Sequence, residues 1–117
     1  ESVFIAGLFV HCAPDYADLA EVVGEPAEAE GARTAAAEMT AAVLDHGWDG
    51  DWFVRAYDFF GNKVGSEECE EGKIYIEPQG FCVMAGIGVE TGEAARALDS
   101  VKAILDTDHG IVVLQPA

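Results

Sequence analysis

Hydrophobic and polar positions divide the chain into four helical stretches and one long irregular segment. Residues 2 to 13 are apolar on nearly every side, which predicts a helix that is buried all round. Pro14 is expected to interrupt this helix, and Asp15 can cap a helical continuation. Gly24 is expected to end that continuation.

A second helix is predicted from Pro26 to Gly47. Proline suits the first turn of a helix, where its missing N–H has no intrahelical partner to bind. Met39, Val43 and Leu44 form an apolar stripe, and acidic residues occupy another face. This pattern is typical of a surface helix with one buried side.

Residues 48 to 78 have a different character. DWFVRAYD and KIYIEP are rich in residues that favour strands, and FGNKVGSEECEEG between them carries turn-forming residues. We expect a short β-ribbon inside a loop of about 30 residues, a length that suggests a functional or covering role.

The helical pattern returns in QGFCVMAGIG, again apolar all round, and in the amphipathic TGEAARALDSVKAILDTDHG. Thr91 is a candidate cap of this last helix. Its predicted buried stripe consists of Ala94, Leu98, Val101 and Leu105.

The two halves of the chain follow the same plan, and their exits, AVLDHGWDG and AILDTDHGIVV, are alike. A recurrence of about 60 residues with alternating buried and half-buried helices is typical of a toroid of helical hairpins. The predicted fold is therefore mainly α, with two helical-hairpin units and the short ribbon.

Charge limits the partners. The chain has 22 acidic and 6 basic residues, a net charge of -16, which repels nucleic acid and anionic membranes. No stretch resembles a signal peptide, and no apolar run approaches the roughly 18 to 20 residues that span a bilayer. We expect neither nucleic acid nor membrane as a partner.

The cysteines and histidines do not indicate a metal or disulfide site. The three cysteines are odd in number and lack CxxC spacing, and the three histidines have no metal-ligand spacing. We expect no metal, no cofactor and a cytoplasmic location.

Several long runs resemble one enzyme family. They are ESVFIAGLFV, WDGDWFVRAYDFFGNKVGS, EEGKIYIEPQGFCVMAGIG, ALDSVKAIL and HGIVVLQPA. Together they resemble the catalytic domain of the cellobiose and chitobiose phosphorylases, glycoside hydrolase family 94.

The resemblance implies an (α/α)6 barrel, of which this chain would form a part, and an inverting reaction. A carboxylic acid protonates the glycosidic oxygen of a β-linked disaccharide while inorganic phosphate attacks the anomeric carbon from the opposite face. The products are an α-sugar 1-phosphate and a free sugar. The implied partners are a small carbohydrate and phosphate, and a homodimeric parent enzyme is expected.

The family's acid is the last Asp of an Asp-Trp-Asn-Asp motif, which precedes the segment matching Glu1 and does not occur in this sequence. Its phosphate-binding His and Thr-Gly pair follow the segment matching Ala117. We therefore expect residues 1–117 to be a single incomplete piece of a catalytic domain, without a catalytic residue and inactive by itself. Two alternatives are a hydrolase on the same barrel and a carbohydrate-binding helical module without catalysis.

Five residues are candidates for substrate binding. Trp52 could stack on a pyranose ring or pack the ribbon onto the helices. Arg55 could contact substrate, but a structural ion pair with Asp51, Asp58 or Glu77 is favoured. Asp58 could border the sugar site. Glu77 and Gln79, at the start of a buried helix, could bind a sugar hydroxyl or anchor that helix.

Overall fold

The computed structural model describes residues 1 to 116, so Ala117, the last residue of the predicted piece and of the run HGIVVLQPA, lies outside it. Four helices dominate the fold: α1 (Val3–Val22), α2 (Pro26–His46), α3 (Ile76–Met84) and α4 (Glu93–Ile104). The strands each have two residues: β1 (Ala56–Tyr57), β2 (Lys63–Val64), β3 (Ile74–Tyr75), β4 (Asp106–Thr107), β5 (Gly110–Ile111) and β6 (Leu114–Gln115).

Helix α1 continues through Pro14, so the predicted interruption there is wrong. Proline has no N–H to donate to the carbonyl of Val10, and this weakens the helix locally. The second half of α1 is held by the packing of Ala17 and Ala20 against Ala29 of α2. Small side chains let the two helices approach closely, and this contact keeps α1 in one piece.

The prediction that α1 is buried all round is also wrong. Its buried residues lie on one side, whereas Ile5 is 53% exposed and Phe9 40% exposed. Within residues 1 to 116, α2 and α3 are the helices that pack on α1, and they cover only part of its surface. The buried positions are Val3, Gly7, Val10, Ala13, Ala17 and Ala20.

By length and composition alone, α1 is long and apolar enough to cross a membrane. The sequence did not predict a run of this length because the helix was expected to break at Pro14. Within residues 1 to 116, α1 packs on α2 and α3.

Helix α2 begins at Pro26 and is capped by Gly47, as predicted. Helix α3 begins at Ile76, three residues before the predicted start, and it also leaves one side open, since Met84 is exposed. The first turn of α3 thus takes up residues of KIYIEP, and only Ile74 and Tyr75 of that stretch form a strand.

Helix α4 is preceded by Gly92, whose φ of 104° is readily adopted only by glycine, and Thr91 does not cap its backbone. The predicted stripe is largely confirmed by the burial of Ala94, Val101 and Leu105. Leu98 is exposed, and Ala97 is buried in its place.

Two helical hairpins are present, as predicted. α1 packs with α2, and α3 packs with α4. The hairpins meet along α1 and α3, where the Phe4 and Phe81 rings lie edge to face at 4.8 Å. Arg55 lies at the start of both helices, because its carbonyl accepts the Val3 N–H and its side chain reaches Glu77. The starts of α1 and α3 therefore lie close together.

A short ribbon within residues 48 to 78 is confirmed by the antiparallel pair β1 and β2, in which Ala56 faces Val64 and Tyr57 faces Lys63. Its second strand lies in FGNKVG, which was predicted as turn, because the chain already reverses at Gly61, and the strand in KIYIEP pairs with β6 instead. Two further antiparallel pairs, β3 with β6 and β4 with β5, were not predicted. Strands of two residues are too short to leave a period of two in the sequence.

The contact between α1 and α3 is close at Gly7. A methyl group there would lie 3.0 Å from the Cys82 nitrogen and 3.1 Å from the Phe81 carbonyl carbon. We predict that Gly7→Ala lowers the free energy of unfolding by about 1 kcal/mol or more, because backbone atoms have little room to move.

Gly31→Ala is the matched control, because nothing lies within 4 Å of that position in α2. Alanine there should raise the free energy of unfolding by about 0.5 to 1 kcal/mol. Urea unfolding of both variants measures the difference. Equal effects of the two substitutions would contradict the close packing of α1 on α3.

Candidate functional site

The aromatic residues at the start of segment 48–78 pack the ribbon onto the helices. Trp52 is buried, and its Nε1–H is shared between the carbonyls of Gly65, at 3.0 Å, and Lys73, at 2.9 Å. Phe53 is fully buried and meets the Trp48 ring edge to face at 5.0 Å. In this arrangement the Trp52 ring is not open to a sugar.

Gln79 joins α3 to the same segment. Its Oε1 accepts the Phe53 N–H at 2.8 Å, and its Nε2 donates to the carbonyls of Phe53, at 2.8 Å, and Tyr75, at 2.9 Å. Both amide donors are used, and the side chain is fully buried. The amide thus forms hydrogen bonds with both the N–H and the carbonyl of Phe53, as the backbone of a neighbouring strand would.

Asp58 organises the turn between β1 and β2. Its Oδ1 accepts hydrogen bonds from the N–H groups of Phe60 and Asn62, and its Oδ2 accepts one from Asn62 Nδ2, each at 2.8 Å. The hydrogen bond from the Asn62 side chain, with those from the backbone, holds the pKa of Asp58 below its ordinary value. The bound carboxylate presents the exposed Phe59 and Phe60 at the tip.

Asp49 closes the base of the ribbon. Its carboxylate, 5% exposed, accepts hydrogen bonds from Lys63 Nζ at 2.9 Å, Ser66 Oγ at 3.1 Å and Glu67 N–H at 2.8 Å. Burial acts to raise the pKa of Asp49, but these bonds outweigh it and the pKa is lowered. The same contact raises the pKa of Lys63.

Arg55 and Glu77 come together, and of the three partners predicted for Arg55 the structure selects Glu77. Arg55 Nε lies 3.8 Å from Glu77 Oε1, and Arg55 Nη1 donates to Ser2 Oγ at 2.9 Å. The guanidinium carbon lies 5.3 Å from the centre of the Phe4 ring. Asp51 instead pairs with Arg96.

Of the five candidates, only Arg55 and Glu77 have side chains that are paired with each other and partly open to solvent. The side chains of Trp52 and Gln79 are buried, and Asp58 lies in the turn between β1 and β2. Sequence reasoning missed Ser2 and Phe4 as neighbours of Arg55. No local signal marks them, because they lie more than fifty positions away in the chain.

An apolar cleft of about 650 Å3 lies between α1 and α2. None of the five candidate residues lines it, and its walls include Phe9, Met39 and Val43. Such a surface suits an apolar side chain better than a sugar. Within residues 1 to 116, no cluster of three His, Cys, Asp or Glu side chains could hold a metal ion.

Comparison with known proteins defines the class. The profile of the family described as "Glycosyl hydrolase 94 superfamily, catalytic domain" matches residues 1–117. The chain belongs to this family, and the resemblance seen in the sequence is thereby confirmed.

Three relatives add detail. The chain is 37% identical over 117 residues to a solabiose phosphorylase of Paenibacillus borealis, covering 99% of this chain and 15% of that protein. It is 35% identical over 98 residues to a 3-O-beta-D-glucopyranosyl-beta-D-glucuronide phosphorylase of the same organism, covering 82% of this chain and 12% of that protein. It is 28% identical over 120 aligned positions to an N,N'-diacetylchitobiose phosphorylase of Vibrio proteolyticus, covering 100% of this chain and 15% of that protein. The chain spans about 15% or less of these relatives.

The Gln79 bridge yields a first prediction for the site. Gln79→Glu replaces the amide nitrogen by an oxygen that faces the carbonyls of Phe53 and Tyr75. At pH 7 this should lower the free energy of unfolding by more than about 2 kcal/mol, because a buried carboxylate loses its donors.

Lower pH should reduce the loss, because a protonated carboxyl group regains one donor. Gln115→Glu, at an exposed position, is the control. Urea unfolding at pH 7 and pH 4 tests the prediction, and equal stability of the two variants at pH 7 would contradict it.

Asp49 yields a prediction with a defined pH dependence. Asp49→Asn should lower the free energy of unfolding by about 1 to 3 kcal/mol at pH 7, because charge-assisted bonds are lost. The folded-state pKa lies below the ordinary value of 3.8, so this stabilisation is present above pH 3.8. It is lost as pH falls through the folded-state pKa.

Unfolding by urea across this pH range measures the difference between wild type and variant. Asp99→Asn, on the exposed side of α4, should show little effect at any pH. A wild-type advantage at Asp49 that stays constant or grows at low pH would show that the charge is not the source.

Proposed function

We propose that this chain is part of a longer inverting glycoside phosphorylase, which converts a β-linked disaccharide such as cellobiose and inorganic phosphate into an α-sugar 1-phosphate and a free sugar. The match of the family profile to residues 1–117 carries the proposal. The relatives are named for different sugars but are all phosphorylases, which supports the reaction more strongly than any one substrate.

The helical arrangement supports an (α/α)6 barrel for the longer protein. α1 and α3 start close together and pack on each other, and each packs with the helix that follows it, α2 or α4. Repetition of this unit would place α1 and α3 in an inner ring and α2 and α4 in an outer ring. The exposed Ile5 and Phe9 of α1 fit a helix that further elements would cover.

In the proposed reaction, an acid outside residues 1–117 protonates the glycosidic oxygen, and a phosphate oxygen bonds to the anomeric carbon as the glycosidic bond breaks. No second carboxylate is required, because phosphate is already an anionic nucleophile. The role proposed for this chain is structural and substrate-binding. Its packed segment 48–78 supports the start of the inner helices.

The phosphate requirement tests this proposal. The longer enzyme should release α-sugar 1-phosphate from cellobiose or a related β-disaccharide only when phosphate is present. The isolated chain of 117 residues should release none, because it lacks the Asp-Trp-Asn-Asp motif. Enzymatic assay of sugar 1-phosphate and of free sugar measures both.

Free sugar formed from the disaccharide by the longer enzyme without phosphate would indicate the alternative, a hydrolase on the same fold. Sugar 1-phosphate formed by the isolated chain would contradict the expected absence of a catalytic residue. Saturable binding of cellobiose by the isolated chain, with no reaction by the longer one, would favour a binding module.

A further inference from the structure

The ion pair of Arg55 and Glu77 is incompletely hydrogen-bonded. Glu77 Oε2 is a buried oxygen without a hydrogen-bond partner, the one side-chain atom of this kind among residues 1 to 116. A buried carboxylate oxygen without a donor is unfavourable, and such atoms in native proteins call for an explanation. The missing donor is the first indication of a ligand.

Arg55, in turn, has N–H donors that are not hydrogen-bonded. Its Nη1 donates to Ser2 Oγ, but its Nε lies 3.8 Å from Glu77 Oε1, too far for a hydrogen bond. A guanidinium carries five N–H donors, so most of those of Arg55 are left for another group. The two side chains are 27% and 34% exposed, so a small molecule can reach them.

The surroundings indicate the chemistry of the ligand. An alcohol hydroxyl can donate to a carboxylate and accept from a guanidinium at the same time. The pair has no net charge, and an anion that approached Arg55 would also meet the Glu77 carboxylate. A neutral hydroxyl group therefore fits better than phosphate.

Aromatic rings border the pair. Phe4 lies under the Arg55 guanidinium, and Phe81 contacts Phe4 edge to face. Both phenylalanines are half-buried. Aromatic rings beside hydrogen-bonding groups suit a pyranose, which has C–H faces and a rim of hydroxyls.

We propose that Arg55 and Glu77 together bind one hydroxyl of a neutral sugar, which donates to Glu77 and accepts from Arg55. The terminal carboxylate torsion of Glu77 is soft, so the carboxylate can turn to meet an incoming hydroxyl. The proposal rests on the proposed function, since the sugar is the disaccharide substrate of the longer enzyme. It assigns Ser2 and Phe4 the role of holding the Arg55 side chain.

Direct binding provides the test. Glu77→Gln in the longer enzyme should weaken the binding of cellobiose or N,N'-diacetylchitobiose by about ten-fold or more, because a charge-assisted hydrogen bond is lost. Arg55→Lys should weaken it in the same direction. Glu67→Gln is the matched control, since its carboxylate pairs with Lys73 on the surface. Isothermal titration measures binding, and thermal unfolding checks the fold.

Phosphorolysis kinetics separate binding from a structural role. In Glu77→Gln the KM for the disaccharide should rise about ten-fold or more, and the KM for phosphate should stay at the wild-type value. A structural defect would change both constants and lower the melting temperature. Unchanged sugar affinity in Glu77→Gln, or an equal rise in both KM values, would overturn the proposal.

The outcomes also distinguish this inference from the proposed function. An enzyme that binds cellobiose through Glu77 but forms no sugar 1-phosphate would contradict the proposed function and support the sugar site. Phosphorolysis with unchanged sugar KM in Glu77→Gln would support the proposed function and refute the sugar site. Failure of the wild-type enzyme to bind either disaccharide would refute the site.

Discussion

The buried amide of Gln79 connects the irregular half of the fold to its helices. Segment 48–78 has too few strand residues to satisfy its own backbone, yet Phe53 and Val54 are fully buried within it. A primary amide offers two donors and an acceptor, so one side chain on α3 satisfies both polar groups of Phe53. Without it, burial of this backbone would leave polar groups unpaired.

This attachment determines where Arg55 lies. Two residues after Phe53, the Arg55 N–H donates to the Val64 carbonyl, and the Arg55 carbonyl accepts the Val3 N–H at the start of α1. Backbone bonds on both sides thus fix Arg55 between the ribbon and the start of α1. Its side chain then reaches Glu77 in the first turn of α3.

Prediction from the sequence succeeded where the signals were local. Pro26 and Gly47 correctly marked the ends of α2, and the mixture of strand-forming and turn-forming residues correctly placed a short ribbon within residues 48 to 78. It failed at Pro14, where packing of alanines on α2 outweighed the loss of one helical hydrogen bond. For the site, the sequence predicted that Arg55 needs an acidic partner and left three choices open.

By itself, the sequence determined which stretches are helical, that a short ribbon separates them, and the family, because periodicity, turn residues and long characteristic runs are carried by neighbouring positions. Only the tertiary structure decided which polar groups meet. Phe53, which Gln79 bridges, lies 26 positions away, the partners of Asp49 lie 14 to 18 positions away, and no local pattern encodes such pairings. In the folded chain the polar groups of Trp52, Asp58 and Gln79 are hydrogen-bonded to neighbouring residues. Arg55 Nε and Glu77 Oε1 lie 3.8 Å apart, so these two side chains keep hydrogen-bonding groups without a partner.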